Sequence, residues 1–137
     1  MREIWRSVGQ DEFVMIEERA MRNFIDWTMP TLKSQSVILS LGGGTVENSN
    51  AMNLILENGL KVYVRADAEL LYNRIMRKGK PPFLSEKQPR KDFRAIYERR
   101  HRLYEKYADI IVDVYDVPLK VNAQRLSVKL EKYYAGK

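Results

Sequence analysis

The order of segments along the chain predicts an α/β protein, a three-layer parallel sheet with helices on both faces. Two observations carry this. Short apolar runs at 36–41, 61–66 and 109–114 alternate with longer segments of helical period. The runs are also apolar at adjacent positions, so neither face suits water, as in a sheet covered on both sides. The chain's 137 residues fit a single domain, and 45% hydrophobic content is enough for a core.

Each element has its own warrant. Phe13, Ile16, Ala20, Phe24 and Trp27 recur at helical spacing, which predicts an amphipathic helix over 11–29. Thr28-Met29-Pro30 ends it, because the residue before a proline avoids the helical region. Ser36-Val37-Ile38-Leu39-Ser40-Leu41 reads as a buried strand stopped by Gly42-Gly43-Gly44. Asn48 or Ser49 caps a short helix that runs to Glu57 and ends at Asn58-Gly59. A second strand follows at 61–66. Asp67 caps the next helix, with Leu70, Leu71 and Ile75 inward. Residues 79–90 hold three of the five prolines and form a loop. A helix over 92–107 packs through Phe93, Ile96 or Tyr97, Leu103, Tyr104 and Tyr107. The third strand is 109–114. Asn122 caps a last helix with Leu126, Leu130 and Tyr133 inward.

Composition excludes several chemistries. There is no Cys, so disulfides, thiolate zinc sites and Cys nucleophiles are ruled out, and the single His101 cannot build a His-based metal site. The longest stretch free of charge and proline, Ser34–Val46, is too short and too polar to span a bilayer. The first residues lack the apolar core of a signal peptide. These features fit a cytoplasmic chain with no membrane partner. The net charge of +6 suits an anionic partner. No basic strand interleaved with aromatics points to nucleic acid.

Ser40-Leu41-Gly42-Gly43-Gly44 is the most informative segment. Glycines directly after a buried strand either let backbone approach a ligand at the strand's carboxyl end or make a turn that needs positive φ. The 79–90 loop lies between two basic helices and reads as a lid over a phosphate-bearing substrate or as an ordinary surface loop. Arg99, Arg100 and Arg102 point in several directions around one helix, so one of them can grip a carboxylate in bidentate fashion. His101 beside them reads as a surface residue rather than a general base. Glu12, Glu17 and Glu18 lie on the first helix, where a carboxylate orients an arginine or is solvated.

In order, these segments resemble the shikimate kinases, a family of P-loop kinases, from about Met1 to the C-terminus. The stretch from Gly9 through Phe13 to Glu17 looks like the family's Gly-Glu-x-x-Phe-Arg-x-x-Glu element. Ser40 to Gly44 resembles its modified Walker B segment. Arg74 to Leu84 resembles the arginine-bearing helix end that leads into the lid. Arg100-His101-Arg102-Leu103-Tyr104, followed by Ala108-Asp109, resembles Arg-x-Pro-Leu-Tyr…Ala-Asp. The resemblance implies ATP-dependent phosphorylation of shikimate or a similar hydroxy-carboxylate, in aromatic amino-acid biosynthesis. It implies that Gly42, Gly43 and Gly44 present backbone to that substrate, that Arg100 pairs with its carboxylate, and that Glu17 supports the site. Arg74, with Arg77 as a second candidate, would lie against the adenine of ATP, and Ser40 would act on Mg through water.

The chain also departs from the pattern. Val14 stands where the family has a substrate-binding arginine, and it cannot donate a hydrogen bond. Arg19, the next arginine along, lies about 140° further round the helix. Pro81 aligns with the lid arginine, which leaves Lys80 as the lid candidate. No Gly-x-x-x-x-Gly-Lys-[Ser/Thr] occurs in the 137 residues. The family carries that motif, and its catalytic aspartate, ahead of the region matched here. The expectation is therefore a P-loop kinase-like domain missing its N-terminal strands and inactive alone. The alternative is a non-catalytic binding or regulatory module of the same fold. The resemblance places the missing strand between those at 36–41 and 61–66. Either the three strands close up in altered order, or a second copy or a separate P-loop fragment fills the edge.

Overall fold

The structure is a computed structural model describing residues 2–32 and 36–137, so Ser34 and Gln35 of the uncharged stretch lie outside the described residues. The chain divides into two compact units, Met1–Gly59 and Leu60–Lys137.

The first unit is helical. Helix α1, Arg2–Val8, precedes α2, Gln10–Asn23. Gly9 separates them at φ 80°, a left-handed conformation that glycine adopts without strain. The single helix expected over 11–29 is corrected here. Regular α geometry stops at Asn23, widens to a π turn over Phe24–Thr28 and tightens to a 3-10 turn over Met29–Leu32. Pro30 explains the change. It has no N–H to give the helix, and its ring crowds the carbonyl four residues back. The chain responds with a wider bond from the Met29 N–H to the Phe24 carbonyl.

The buried face of α2 also differs from the one expected. Met21 is its buried residue, while Ile16 and Ala20 are exposed and Trp27 is 75% exposed. The side turned to helix α3, Ser49–Leu56, carries Glu17 and Met21, because Glu17 is bonded to the turn preceding α3. Met21, Val46, Ala51, Met52 and Ile55 are this unit's buried apolar residues. Asn48 caps α3 as expected, its side chain accepting from the Ala51 N–H at 3.1 Å.

The strand expected at 36–41 is not formed. Those residues form no regular element and pair with no described strand, and Ile38 is 94% exposed. Apolar patterning alone does not make a strand: backbone N–H and C=O groups need a ladder, and the described sheet offers none here.

The second unit is a βαβ arrangement. Strand β1, Val62–Arg65, and strand β2, Ile110–Asp113, form a two-stranded parallel sheet, with Val62 opposite Ile110 and Arg65 opposite Asp113. Parallel strands need a long crossover. Helices α4, Ala68–Arg77, and α5, Pro89–Tyr107, supply it. Asp67 caps α4 as expected by accepting from the Glu69 and Leu70 N–H groups. Helix α5 begins earlier than expected, because Pro89 sits in its first turn, where a missing N–H costs nothing.

Tyr72, Leu84 and Phe93 centre the core between α4, the loop and α5. The 79–90 loop is thus anchored by Leu84 and by Pro81, both fully buried. Asp92 accepts from the Ser85 N–H and Ser85 Oγ accepts from the Gln88 N–H, which ties the loop to the start of α5. Helix α6, Leu119–Ala135, packs on β2. Its expected cap is corrected: the helix starts three residues before Asn122, after Pro118. The Asn122 amide instead bonds both the N–H and the carbonyl of Tyr115, holding the turn that leads out of β2.

Candidate functional site

The glycine turn is held from below by a carboxylate. Glu17 Oε1 accepts from the Thr45 hydroxyl at 2.5 Å, and Glu17 Oε2 accepts from the Asn48 amide at 3.2 Å. The same amide nitrogen donates to the Val14 carbonyl at 3.1 Å. Thr45 and Asn48 are buried, so these bonds satisfy groups with no access to water. The backbone adds Thr45 N–H to the Gly42 carbonyl and Glu47 N–H to the Gly44 carbonyl, both 3.0 Å. The turn from Gly42 to Asn48 is therefore braced on α2.

None of Gly42, Gly43 and Gly44 adopts a positive φ; that conformation belongs to Gly9, Gly59 and Gly79. The run does form a turn, but one that needs no left-handed backbone. Gly43 is exposed and its neighbours are half-buried. Ser40 and Val14 are exposed.

In the second unit, α5 carries the arginines. Arg100 is half-buried, whereas Arg99 and Arg102 are exposed. Burial separates Arg100 from its neighbours, as periodicity could not. His101 is not the surface residue expected. Its Nδ1 lies 3.0 Å from the Tyr63 hydroxyl and its Nε2 3.3 Å from Glu105 Oε1. Its ring stacks on Tyr97 with centroids 5.6 Å apart. Burial pushes the Tyr63 hydroxyl well above the usual phenol range. Beside it, Arg65 grips Asp113 across the paired strands with bonds of 2.6 and 3.1 Å and reaches Glu105 at 3.1 Å. That fork holds the Asp113 carboxyl below the usual carboxylate range.

The residues expected at the nucleotide are engaged within the unit. Arg74 donates to the Tyr115 carbonyl at 3.2 Å and lies 3.4 Å from Asp116. Arg77 is exposed. Lys80 donates to the Leu84 carbonyl at 2.8 Å and pairs with Glu86 at 2.7 Å, so its charge is spent inside the loop. Among the described residues no group of three or more His, Cys, Asp or Glu side chains is placed to hold a metal ion. No described helix is long and apolar enough to cross a membrane.

Sequence reasoning missed Thr45 as a partner of Glu17 and the Tyr63–His101–Glu105 group. The first pairing spans 28 positions and had no local signal. The second had one: His101 and Glu105 stand four apart on a helix, which makes them neighbours.

Parallel strands joined through helices define an α/β protein. The shikimate kinase family model matches residues 1–131. The chain belongs to the shikimate kinase family. The shikimate kinase of Bartonella quintana is 24% identical over 131 residues, which is 96% of this chain and 59% of that protein. That of Streptococcus gordonii is 35% identical over 108 residues, covering 76% of this chain and 66% of its own length. The chain thus spans about three fifths of the length of curated relatives it matches. A solved shikimate kinase from Acinetobacter baumannii, in complex with shikimate, has a TM-score of 0.74 at 18% identity, covering 99% of this chain and 70% of that one. That likeness establishes the fold.

Proposed function

We propose that the chain is the substrate-recognising part of a shikimate kinase-like phosphotransferase. Its ligand is shikimate or a similar hydroxy-carboxylate, the chemistry carried by the Acinetobacter baumannii relative. In this reading Arg100 pairs with the carboxylate. Gly42, Gly43 and Gly44 offer backbone to the ligand, and Glu17 acts through Thr45 and Asn48 rather than by touching it. The observation that carries the reading is this brace: an exposed glycine, free of positive φ, held on a buried hydrogen-bonded support. A rigid polar platform of this kind orients a ligand without first having to order itself.

The residues present do not fit ATP and Mg. Arg74 and Lys80 are bonded within the protein, and Ser40 offers one hydroxyl where a magnesium ion takes six oxygen ligands at near-ideal geometry. Phosphoryl transfer is largely positioning and electrostatic stabilisation. These residues supply the positioning of the acceptor and not that of the phosphates. Transfer therefore needs a P-loop-bearing segment, which these 137 residues do not contain. The engagement of Arg74 and Lys80 favours a second reading, a non-catalytic binding module.

Calorimetric titration of the 137-residue chain with shikimate tests the first reading. Binding that is lost in Arg100→Ala supports it, and equal heats for both proteins reject it. A coupled kinase assay with ATP and Mg separates the two readings. Turnover that appears only on adding a P-loop-bearing fragment marks a kinase part. Ligand binding with no turnover under any addition marks a binding module.

A further inference from the structure

Tyr63 and Arg65 stand two apart on β1 and so project to the same side of the sheet. His101 and Glu105 stand four apart on α5 and share a helix face. The two pairs close into one network. Tyr63 meets His101 at 3.0 Å, His101 meets Glu105 at 3.3 Å, and Glu105 returns to Arg65 at 3.1 Å. Asp113 anchors Arg65 from the neighbouring strand. The Tyr97 ring lies nearly parallel to His101 at 6°, and Tyr104 packs on Tyr63 with centroids 4.8 Å apart.

A carboxylate only accepts, so His101 Nε2 carries the hydrogen that faces Glu105. Nδ1 faces the Tyr63 hydroxyl. Burial of Tyr63 keeps that hydroxyl protonated and able to donate. A strand-to-helix contact at one point leaves the helix free to pivot. His101 and Glu105 make two contacts one helical turn apart, and one turn earlier the Tyr97 hydroxyl donates to the Ala66 carbonyl at 2.9 Å; together they limit rotation and sliding.

Arg100 is the chain neighbour of His101, about 100° round the helix axis. Its direction follows from how α5 is turned. We propose that His101 is a positioning residue: held between Tyr63 and Glu105 with its Nε2–H toward the carboxylate, it pins α5 to β1 and thereby sets where Arg100 points. The pin concerns α5 alone; its consequence for ligand binding rests on the carboxylate role given to Arg100 above.

Nitrogen-15 NMR of the full chain tests it directly, because His101 is the single histidine. At neutral pH the imidazole shifts should show a hydrogen on Nε2, and Tyr63→Phe should move the Nδ1 signal. The Arg100 Nε–H signal, assigned by its loss in Arg100→Lys, should move in Tyr63→Phe and in His101→Phe, while the Arg102 signal stays. Tyr63→Phe retains the ring and its packing, so it serves if His101→Phe fails to fold. Shikimate affinity should fall about five- to tenfold in Tyr63→Phe, the scale of one hydrogen bond. An Nε2 that carries no hydrogen in the native chain overturns the proposal. So does an Arg100 signal that ignores both variants. If the Arg100 signal moves but Arg100→Ala binds shikimate as the native chain does, the pin stands and the carboxylate reading falls.

Discussion

Glu17 shows how one side chain can be functional in effect without meeting a ligand. Its two oxygens take up the Thr45 hydroxyl and the Asn48 amide, and Thr45 is only 2% exposed. Removing the carboxylate strands two buried donors, at a cost of about 1–3 kcal/mol for each group left unsatisfied. Glu17→Ala should therefore lower the urea midpoint without changing its slope. Glu17→Gln, which retains an acceptor for one of the two donors, should lose about half as much. Asp113 gives a second test at this scale. Arg65 holds its carboxyl low, so the stability it contributes is present above the ordinary carboxylate value of about 3.9 and is lost as pH falls through the lowered folded value. Asp109, held low first by the Lys61 backbone N–H, and Asp92, held low by Ser85, act in the same sense. Chemical denaturation between pH 5 and about pH 2 should show stability falling toward acid. Asp113→Asn should flatten that fall, and an unchanged pH slope in the variant would remove Asp113 from the account.

Elements were legible from sequence where the signal was local. The Asp67 and Asn48 caps and the Asn58-Gly59 stop need only neighbours a few residues away, and the apolar runs of the two strands are local signals although their pairing is not. Errors arose where a distant partner decides. The inward face of α2 is set by Glu17 reaching Thr45 and Asn48, not by its apolar spacing. Asn122 looked like a cap because its type suits one, yet its amide is taken by the Tyr115 backbone. At the candidate site, glycine content and the arginine cluster were readable. The bracing of the glycines and the network around His101 were not, since both join residues far apart in sequence. The 79–90 loop carries the element-scale prediction. Leu84 plugs the α4–α5 core against Tyr72 and Phe93, so it fastens what composition suggested was a lid. Leu84→Ala should cost about 2–5 kcal/mol, as for other large-to-small core changes. Limited proteolysis should then cut within 79–90 before anywhere in α5. Cleavage there at equal rates in both proteins would mean the loop opens without withdrawing Leu84.

At the scale of the whole molecule the open question is the segment 36–41. Its adjacent apolar residues suit a strand covered on both sides, yet Val37, Ile38, Leu39 and Leu41 are all exposed. The β1–β2 sheet has not recruited it, so the expectation that three strands close up in altered order is not met. What remains is pairing with a strand outside these 137 residues. An uncharged, proline-free, apolar stretch with unpaired N–H and C=O groups is a template for such pairing, and natural proteins blunt edges of this kind with charge. The run from Ser36 to Leu41 contains no charge at all. The purified chain should therefore sediment as a dimer or larger species, with an association that weakens on cooling because apolar burial drives it. Ile38→Lys should shift the distribution toward monomer, since a lysine at the most exposed position of the segment would be buried in any paired form. A P-loop-bearing fragment that competes for the same edge should do likewise while forming a one-to-one complex. A native chain that stays monomeric at high concentration and ignores the fragment would show that 36–41 takes no partner strand.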